Sequence, residues 1–336
     1  MLRRGRGRGS VGRCGGRVTV VAAVTAAAAL AFIAISAVAG AVWRVRGPMW
    51  SMPSSIGLDP AVSAIVVEVE SGDVLYEQGA ERRIPPASLA KLMTVLLAVE
   101  AVEGGQASMP DVVTVSRHAA SMGGSQVLLG AGERYNLGQL LESVMMASAN
   151  DSAVAVAEHL AGSERQFVGL MMKRAGELGM RSTRFLNATG LPAEQGEGDG
   201  YTTASDMARL AREALGCHVI LEWSSTRSKA FRNHPLFIMN NTNPLLGMYP
   251  GCDGLKTGHT KAAGYHLIAT ARADGVRLVA VMMHAGNEEA RATGCARLLD
   301  YGFAALRAGD RARSTAEPGV RKPGVRDPGV PDLGAR

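Results

Sequence analysis

Two strand–turn–strand patterns lie at opposite ends of the central part of the chain, and this spacing constrains the fold most. The first runs from residue 64 to 77 around Ser71-Gly72-Asp73. The second runs from residue 265 to 282 around Asp274-Gly275, a dipeptide typical of tight hairpin turns. We therefore predict one antiparallel sheet made from both ends of this region and covered by helices, with a helical insertion, which is an α+β fold.

The stretch between the two patterns is predicted to be mainly helical. Apolar residues recur there at helical spacing, for example at Leu92, Leu96 and Val99. Thr203 followed by Asp206 resembles a capping box, which opens a helix. A last amphipathic helix is predicted from about residue 288 to 306. A cleft between the sheet and the insertion is where a functional site is expected.

The two ends of the chain carry its positive charge. The 336 residues have a net charge of +6, with +8 in residues 1–46 and +3 in residues 307–336. Residues 47–306 therefore sum to −5. Because the basic residues lie outside the predicted fold, no nucleic-acid partner is expected.

An uncharged, alanine-rich run of 25 residues, 18–42, follows six arginines in residues 1–17. At about 1.5 Å per residue it can cross a bilayer as a helix. We predict a cytoplasmic basic segment over 1–17, a transmembrane signal-anchor over 18–43 in the cytoplasmic membrane, and a linker over 44–56. Ala37-Val38-Ala39 leaves open its cleavage as a signal peptide.

The composition changes again after Leu306. Residues 317–330 repeat a Pro-Gly-Val pattern without apolar periodicity. We therefore predict a folded domain over 57–306 and a disordered Pro/Gly tail over 307–336.

The first chemical motif is Ser88-Leu89-Ala90-Lys91, which follows two prolines and precedes an apolar-periodic helix. Residues three apart share a helix face, so the Ser88 hydroxyl and the Lys91 amine can hydrogen-bond. A nucleophile at a helix N-terminus also gains from the helix dipole as its oxygen becomes anionic. Lys91 can act as a base only where burial or a nearby cation lowers its pKa.

Two further motifs follow. Ser148-Ala149-Asn150 lies between two helix patterns and can project its polar side chains into a cleft. Lys256-Thr257-Gly258 precedes the second hairpin, where glycine lets a substrate lie close to the strand. Each motif alone is more typical of a helix cap, a polar loop or a strand end. In this order, they match the S-x-x-K, S-x-N and K-T-G motifs of one class of acyl-transfer serine enzymes.

The chain thus resembles penicillin-binding proteins and serine β-lactamases, and within them the low-molecular-weight D-alanyl-D-alanine carboxypeptidases, peptidase family S11. Further segments carry the resemblance over about residues 57–306, namely residues 85–94, 187–192, 201–204, 243–246 and 253–260. It implies a β-lactamase/transpeptidase-like α/β sandwich, with a five-stranded antiparallel sheet covered by helices and a mainly helical insertion.

The resemblance also implies a function. A serine-type D-Ala-D-Ala carboxypeptidase would remove the terminal D-Ala from peptidoglycan stem peptides at the outer side of a bacterial cell membrane, and would be acylated by β-lactam antibiotics. Ser88 would be the nucleophile, Lys91 its base and Ser148 a proton relay. The backbone N–H groups of Ser88 and His259 would form an oxyanion hole.

Six residues are implied in substrate binding: Asn150, Lys256, Thr257, Gly258, His259 and Arg291. Lys256 and Thr257 would bind the terminal carboxylate. Arg291 stands at the family's position for a carboxylate-binding arginine, and the alternative for it is a solvated helix residue.

No metal or other cofactor is expected, because no H-E-x-x-H or Cys/His ligand spacing occurs. The histidines other than His259 are expected to be structural or exposed. Cys217, Cys252 and Cys295 allow at most one disulfide among them.

Three alternative functions share the motifs. A class A β-lactamase would need a deacylating Glu between the second and third motifs, and residues 184–187 offer none. Slow release of bound penicillin is therefore expected. A sensor that does not turn over would normally need a cytoplasmic signalling module, for which residues 1–17 are too short. The motifs leave a D-alanyl endopeptidase open.

Overall fold

A computed structural model describes residues 56–192 and 200–315 of the chain. In chain order the strands are β1 (Ser63–Glu68), β2 (Val74–Gln78), β3 (Val112–Thr114), β4 (Arg134–Asn136), β5 (Ser228–Asn233), β6 (Leu236–Asn240), β7 (Cys252–Thr260), β8 (Gly264–Ala273) and β9 (Val276–Ala285). Five of them form one sheet in the spatial order β2-β1-β9-β8-β7.

Two hairpins at the ends of the domain build this sheet, as predicted. β1 pairs with β2, β8 pairs with β9, and β1 pairs with β9 to join the two halves, all antiparallel. Asp274 and Gly275 in the second turn have φ values of 51° and 83°, which a two-residue hairpin turn demands. The α+β fold with a five-stranded antiparallel sheet is confirmed.

Helices cover both faces of the sheet. They are α1 (Ala90–Glu103), α2 (Arg117–Ala120), α3 (Leu137–Met146), α4 (Asn150–Ala161), α5 (Glu164–Glu177), α6 (Ala204–Ala214), α7 (His218–Ser225) and α8 (Glu288–Thr315). The Thr203 hydroxyl accepts the Asp206 N–H at 3.1 Å and caps α6, as the capping-box pattern predicts. Two short sheets, β3–β4 and β5–β6, make the insertion mixed rather than wholly helical.

The sheet separates two apolar cores, and β1 shows how. Ile65 and Val67 belong to the larger core, which includes α1 and the helices of the insertion. Ala64 and Val66 alternate with them and belong to the smaller core beneath α8. The larger core encloses α1, so the residues at the start of that helix are held from several sides.

The last helix, α8, continues to Thr315 rather than ending near Leu306. No proline occurs between these positions, and the first one after them is Pro318. The predicted segments at 1–17, 18–43 and 44–55 and the tail from residue 316 lie outside the described residues. Among the helices that the structure describes, none is long and apolar enough to cross a membrane.

Candidate active site

The first motif forms a tight turn at the start of α1. Ala87–Leu89 is one turn of 3₁₀-helix, and Lys91 lies in the first turn of α1 behind it. Ser88 is partly exposed, whereas Lys91 is fully buried. Lys91 Nζ lies 2.8 Å from Ser88 Oγ. The Ser88 side chain can thus be reached from solvent, while the Lys91 amine is shielded from water.

Residues 187–190 hold the Lys91 amine from the other side. Lys91 Nζ donates to the Thr189 carbonyl oxygen at 3.0 Å. Asn187 Oδ1 accepts the N–H groups of Thr189 and Gly190, which fixes the shape of this turn. Gly190 lies so close to the Ala87 carbonyl that a Cβ there would overlap it. The turn at residues 187–190 is therefore packed tightly against the segment that carries Ser88.

The second motif connects α3 to α4. Ser148 is buried in the connection with a φ of 58°, and its hydroxyl accepts a hydrogen bond from Lys256 Nζ at 2.8 Å. Asn150 is the first residue of α4 and does not cap it. Its Nδ2 donates to the Gly123 carbonyl at 2.6 Å, while its buried Oδ1 has no partner among the described residues. That oxygen is free to accept an N–H from a substrate.

The third motif lies on β7, an edge strand of the sheet, beside the turn at Ala87–Leu89. A Cβ at Gly258 would lie 3.3 Å from the Ser88 backbone nitrogen, so the absence of a side chain allows the two backbones to approach. The Thr257 hydroxyl lies 2.6 Å from that of Thr242. Lys256 is buried and also donates to the Thr257 carbonyl at 3.1 Å.

The remaining two predicted residues, His259 and Arg291, meet across Tyr265. The exposed His259 ring stacks on the Tyr265 ring with centroids 4.0 Å apart. The Arg291 guanidinium lies 5.6 Å from the centroid of the same tyrosine ring. Arg291 is only 5% exposed, so it is not the solvated helix residue of the alternative interpretation. Its Nη2 bonds to Glu288, and within the described residues its Nε has no partner.

Three buried basic side chains, those of Lys91, Lys256 and Arg291, shape the electrostatics of the site. Burial, then the nearby Lys256 charge, hold the pKa of Lys91 well below its usual range, although Asp151 opposes the shift. Burial and the Arg291 charge lower the pKa of Lys256 to about 7. A neutral Lys91 can accept the Ser88 proton, and the positive surroundings suit a substrate that carries a carboxylate.

His266 on β8 contacts the segment that precedes Ser88. Its Nδ1 accepts the His284 backbone N–H at 3.0 Å, so the ring proton is assigned to Nε2, which lies 3.0 Å from the Pro85 carbonyl. Burial lowers the pKa of His266 to about 4, which keeps the ring neutral. Strand β8 thereby holds the chain three residues before Ser88.

Sequence reasoning assigned no role to Thr189 or Thr242, and it expected His266 only to be structural or exposed. Thr189 acts through its backbone carbonyl, which a residue of any type could supply. The nearby Asn187 and Gly190 are the only sequence signal, because both residue types favour turns. Cys217, Cys252 and Cys295 are all free thiols. Within the described ranges, no three metal-ligating side chains come together.

The sequence profile of the D-alanyl-D-alanine carboxypeptidases, Peptidase S11, matches residues 56–287, which include all three motifs. The chain belongs to this family. Arg291 lies just beyond the matched S11 segment. The family resemblance drawn from the motifs is therefore confirmed.

Individual S11 relatives agree with the profile. The D-alanyl-D-alanine carboxypeptidase DacF of Bacillus subtilis is 42% identical over 245 residues, which are 72% of this chain and 62% of DacF. DacA of Escherichia coli K12, another D-alanyl-D-alanine carboxypeptidase, is 36% identical over 250 residues, 72% of this chain and 60% of DacA. The chain thus spans about three fifths of the length of these curated relatives.

A solved structure extends the likeness to the fold. Penicillin-binding protein D2 from Listeria monocytogenes, crystallised in its ampicillin-bound form, matches with a TM-score of 0.64 at 32% identity. The match covers 74% of this chain and 99% of that protein.

Proposed function

We propose that this chain is a serine-type D-alanyl-D-alanine carboxypeptidase, which releases the terminal D-Ala of peptidoglycan stem peptides through a Ser88 acyl-enzyme. The observation that carries the proposal is the 2.8 Å contact between the accessible Ser88 hydroxyl and the buried Lys91 amine. Membership in the S11 family and the names of its relatives support the substrate.

Acylation begins with the Ser88 oxygen attacking the carbonyl carbon of the penultimate D-alanine. Its proton passes to the neutral Lys91 amine, which serves as the general base. The backbone N–H groups of Ser88 and His259 stabilise the negative oxygen, an effect worth about 3 kcal/mol per donor. The peptide C–N bond then breaks, and the departing D-Ala amine takes the proton held by Lys91, relayed through the Ser148 hydroxyl, so that Lys91 is neutral again.

Deacylation repeats these steps with water. Lys91 accepts a proton as water adds to the ester carbonyl, and the Ser88 oxygen leaves and is protonated again. The products are free D-Ala and a stem peptide with a new carboxylate, and the enzyme returns to its starting state.

Charged and polar groups on two sides hold the substrate. Lys256 and Thr257 bind the terminal carboxylate, and the buried Arg291 adds positive charge behind them. The unpartnered Oδ1 of Asn150 accepts an amide N–H of the substrate. Gly258 leaves the edge of β7 open to the extended peptide.

A β-lactam would occupy the same positions, with its ring carbonyl attacked by Ser88. The Listeria neighbour has been solved with ampicillin and with cefotaxime, which supports this extension. We expect slow release of the penicilloyl group, as residues 184–187 supply no Glu to activate water.

The decisive experiment measures D-Ala release from an N-acetylated stem pentapeptide by the purified full chain. Wild type should release D-Ala, and Ser88→Ala should lose at least about a thousandfold in rate. Ser225→Ala, an exposed serine at the end of α7, is the matched control and should behave like wild type. Rapid hydrolysis of penicillin would instead indicate a β-lactamase, and cleavage only of cross-linked dimers an endopeptidase. Acylation without any peptide release would indicate a sensor.

We further propose that residues 18–43 anchor the protein in the cytoplasmic membrane with the catalytic domain outside. The uncharged run after six arginines supports this orientation. Protease added to intact spheroplasts should digest the domain, and removal of residues 1–46 should release it from the membrane fraction. A protease-resistant domain would overturn the orientation.

A further inference from the structure

Asp151 is a fully buried acid at the start of α4, next to Asn150 of the second motif. Among the described residues, no basic side chain forms an ion pair with it. Its oxygens instead accept the backbone N–H of Val127 at 3.2 and 3.3 Å, that of Leu129 at 3.0 Å and that of Ser152 at 2.9 Å. A buried carboxylate needs such donors. Two of them lie in the loop between α2 and β4, so Asp151 holds that loop.

The earlier part of the same loop holds Asn150. Asn150 Nδ2 donates to the Gly123 carbonyl at 2.6 Å, and the Asn150 backbone N–H donates to the Ser125 carbonyl at 2.7 Å. Every second residue from 123 to 129 thus bonds to the start of α4. Because the loop fixes the amide nitrogen of Asn150, the amide oxygen points away from the loop. That oxygen is the one without a partner among the described residues, so the loop sets the direction from which it can accept a substrate N–H.

Arg232 on β5 holds the same loop through its carbonyl oxygens. Its Nη1 donates to the carbonyls of Val127 and Leu128 at 2.8 and 3.2 Å. Leu128 lies between the two loop residues that bond to Asp151 and has a φ of 60°, which is unfavourable for so large a side chain. A backbone in this conformation persists only where its surroundings hold it. Asp151 and Arg232 supply that hold, one through N–H groups and the other through carbonyl oxygens.

We propose that Asp151 and Arg232 are positioning residues, which fix the loop at residues 123–129 so that the Asn150 side-chain oxygen faces the substrate. The inference rests on the proposed carboxypeptidase function and deepens it, because it names the residues that prepare one substrate contact of that site. The N–H concerned is that of the penultimate D-alanine, beside the carbonyl that Ser88 attacks. Asp151 is fully buried and does not touch the substrate, so it acts through its neighbours.

Asp151 also has an electrostatic route to the reaction. Burial and the Lys256 charge lower the pKa of Lys91, and the Asp151 charge opposes them. A change in the base affects every substrate that acylates Ser88, whereas a change in Asn150 affects only substrates that carry the N–H it accepts. The two routes therefore differ in the substrates that they slow.

The test compares acetyl-Gly-D-Ala-D-Ala with the depsipeptide acetyl-Gly-D-lactyl-D-Ala, in which an ester oxygen replaces the N–H of the penultimate residue. Both compounds contain the same scissile amide. Asp151→Asn and Arg232→Gln in the purified full chain should each lower the peptide-to-depsipeptide ratio of kcat/KM by on the order of tenfold, because one hydrogen bond to the substrate weakens. A ratio that stays at the wild-type value in either folded variant, even if both rates fall, would overturn the proposal.

Asn150→Ala gives the ratio expected when the contact is absent. Adding Asp151→Asn to Asn150→Ala should leave that ratio unchanged, because the positioning then has no side chain to act on. A further fall would show that Asp151 reaches the substrate by another route and would contradict the proposal. Thermal unfolding shows whether each variant folds, and Arg232→Gln decides the test if Asp151→Asn does not.

Asp206→Asn is the matched control. Its carboxylate is also buried and accepts a backbone N–H, that of Ser182, outside the 123–129 loop. The control should keep the wild-type ratio even if it lowers the thermal midpoint. A fall in its ratio as large as that of Asp151→Asn would show that loss of a buried carboxylate alone has this effect, and would overturn the assignment to the loop.

The outcome separates this proposal from the proposed function. If wild type releases D-Ala from both compounds and the variants keep its ratio, only the positioning role fails. If wild type cleaves neither compound, the proposed function fails, and the positioning is judged by the equilibrium affinity of Ser88→Ala for the same two compounds. Tighter binding of the peptide that Asp151→Asn abolishes would then support the positioning, and equal binding of the two compounds would overturn it.

Discussion

The Thr189 carbonyl oxygen accepts a hydrogen bond from Lys91 Nζ at 3.0 Å, across 98 positions of sequence. A neutral amine has two N–H bonds and one lone pair. When one N–H bond is held by a fixed acceptor, the lone pair must point in a different direction. Ser88 Oγ, 2.8 Å from the same nitrogen, lies in position to donate its proton there. The turn at residues 187–190 thus orients the Lys91 amine through a backbone carbonyl.

Gly190→Ala should disturb this orientation. Gly190 has a φ of 76° and its added Cβ would overlap the Ala87 carbonyl, so the turn must move away from the nucleophile. We expect kcat for D-Ala release to fall by about a hundredfold or more, because displacing a catalytic group by about 1 Å has an effect of that size. Gly169→Ala, at an exposed helical glycine with no neighbour within 4 Å, should keep full activity and raise the thermal midpoint slightly. Equal activity of both variants would contradict this role.

Replacing Lys91 by methionine should separate catalysis from stability. The buried amine is costly to charge, and methionine fills similar space without that cost, although the Thr189 carbonyl loses a partner. We expect penicillin acylation to slow by at least about a thousandfold while the free energy of unfolding changes by less than about 2 kcal/mol. Stopped-flow acylation and urea unfolding test the two halves, with Lys173→Met at an exposed site as the control. Near-normal acylation by the variant would remove Lys91 as the base.

The charge of Lys256 should limit activity at high pH. Its pKa of about 7 means that the free enzyme loses this cation above neutrality. For a peptide with a free carboxylate, kcat/KM should fall about tenfold for each pH unit beyond that point. An analogue with a C-terminal amide should lack this decline. The same alkaline limb for both substrates would show that another group titrates.

His266 should make stability depend on pH in mild acid. Its pKa is about 4 in the folded protein and near 6.5 when unfolded, so between these values only the unfolded chain binds the proton. The contribution of His266 to the free energy of unfolding is therefore complete above pH 6.5 and is lost as the pH falls toward 4. Between pH 7.5 and 4.5, wild type should lose about 2–3 kcal/mol of unfolding free energy more than His266→Asn does. Urea unfolding at both pH values gives the comparison. His284 and Arg291, which face the ring, remain in both proteins, and equal losses would contradict the assignment.

The hairpins of the sheet and the proximity of Ser88 to Lys91 could be predicted from the sequence, because both depend on local patterns. Alternating residues around Asp274-Gly275 predicted the β8–β9 hairpin, which the structure contains. The spacing of Ser88 and Lys91 predicted their proximity from helix geometry alone, and the structure places them in contact.

Other features depend on long-range packing, which a single sequence does not show. The Lys91 partner is a backbone carbonyl, and no residue type marks it. The sequence around Arg291 is that of an ordinary helix, and its burial beside Tyr265 depends on tertiary packing. The strands β5 and β6 are short and partly exposed, so their pattern does not stand out from the helices around them.

The pairing of β1 with β9 has a consequence for biosynthesis. Ile65 faces Val281, its partner more than two hundred positions later in the chain. A nascent polypeptide therefore presents the apolar β1 long before its neighbour has been made, and β9 must be synthesised before the sheet can close. Such distant contacts slow folding and expose the early strand to wrong partners. A ribosome stalled before Val276 would hold a chain that has every motif of the site and no strand to join its two halves.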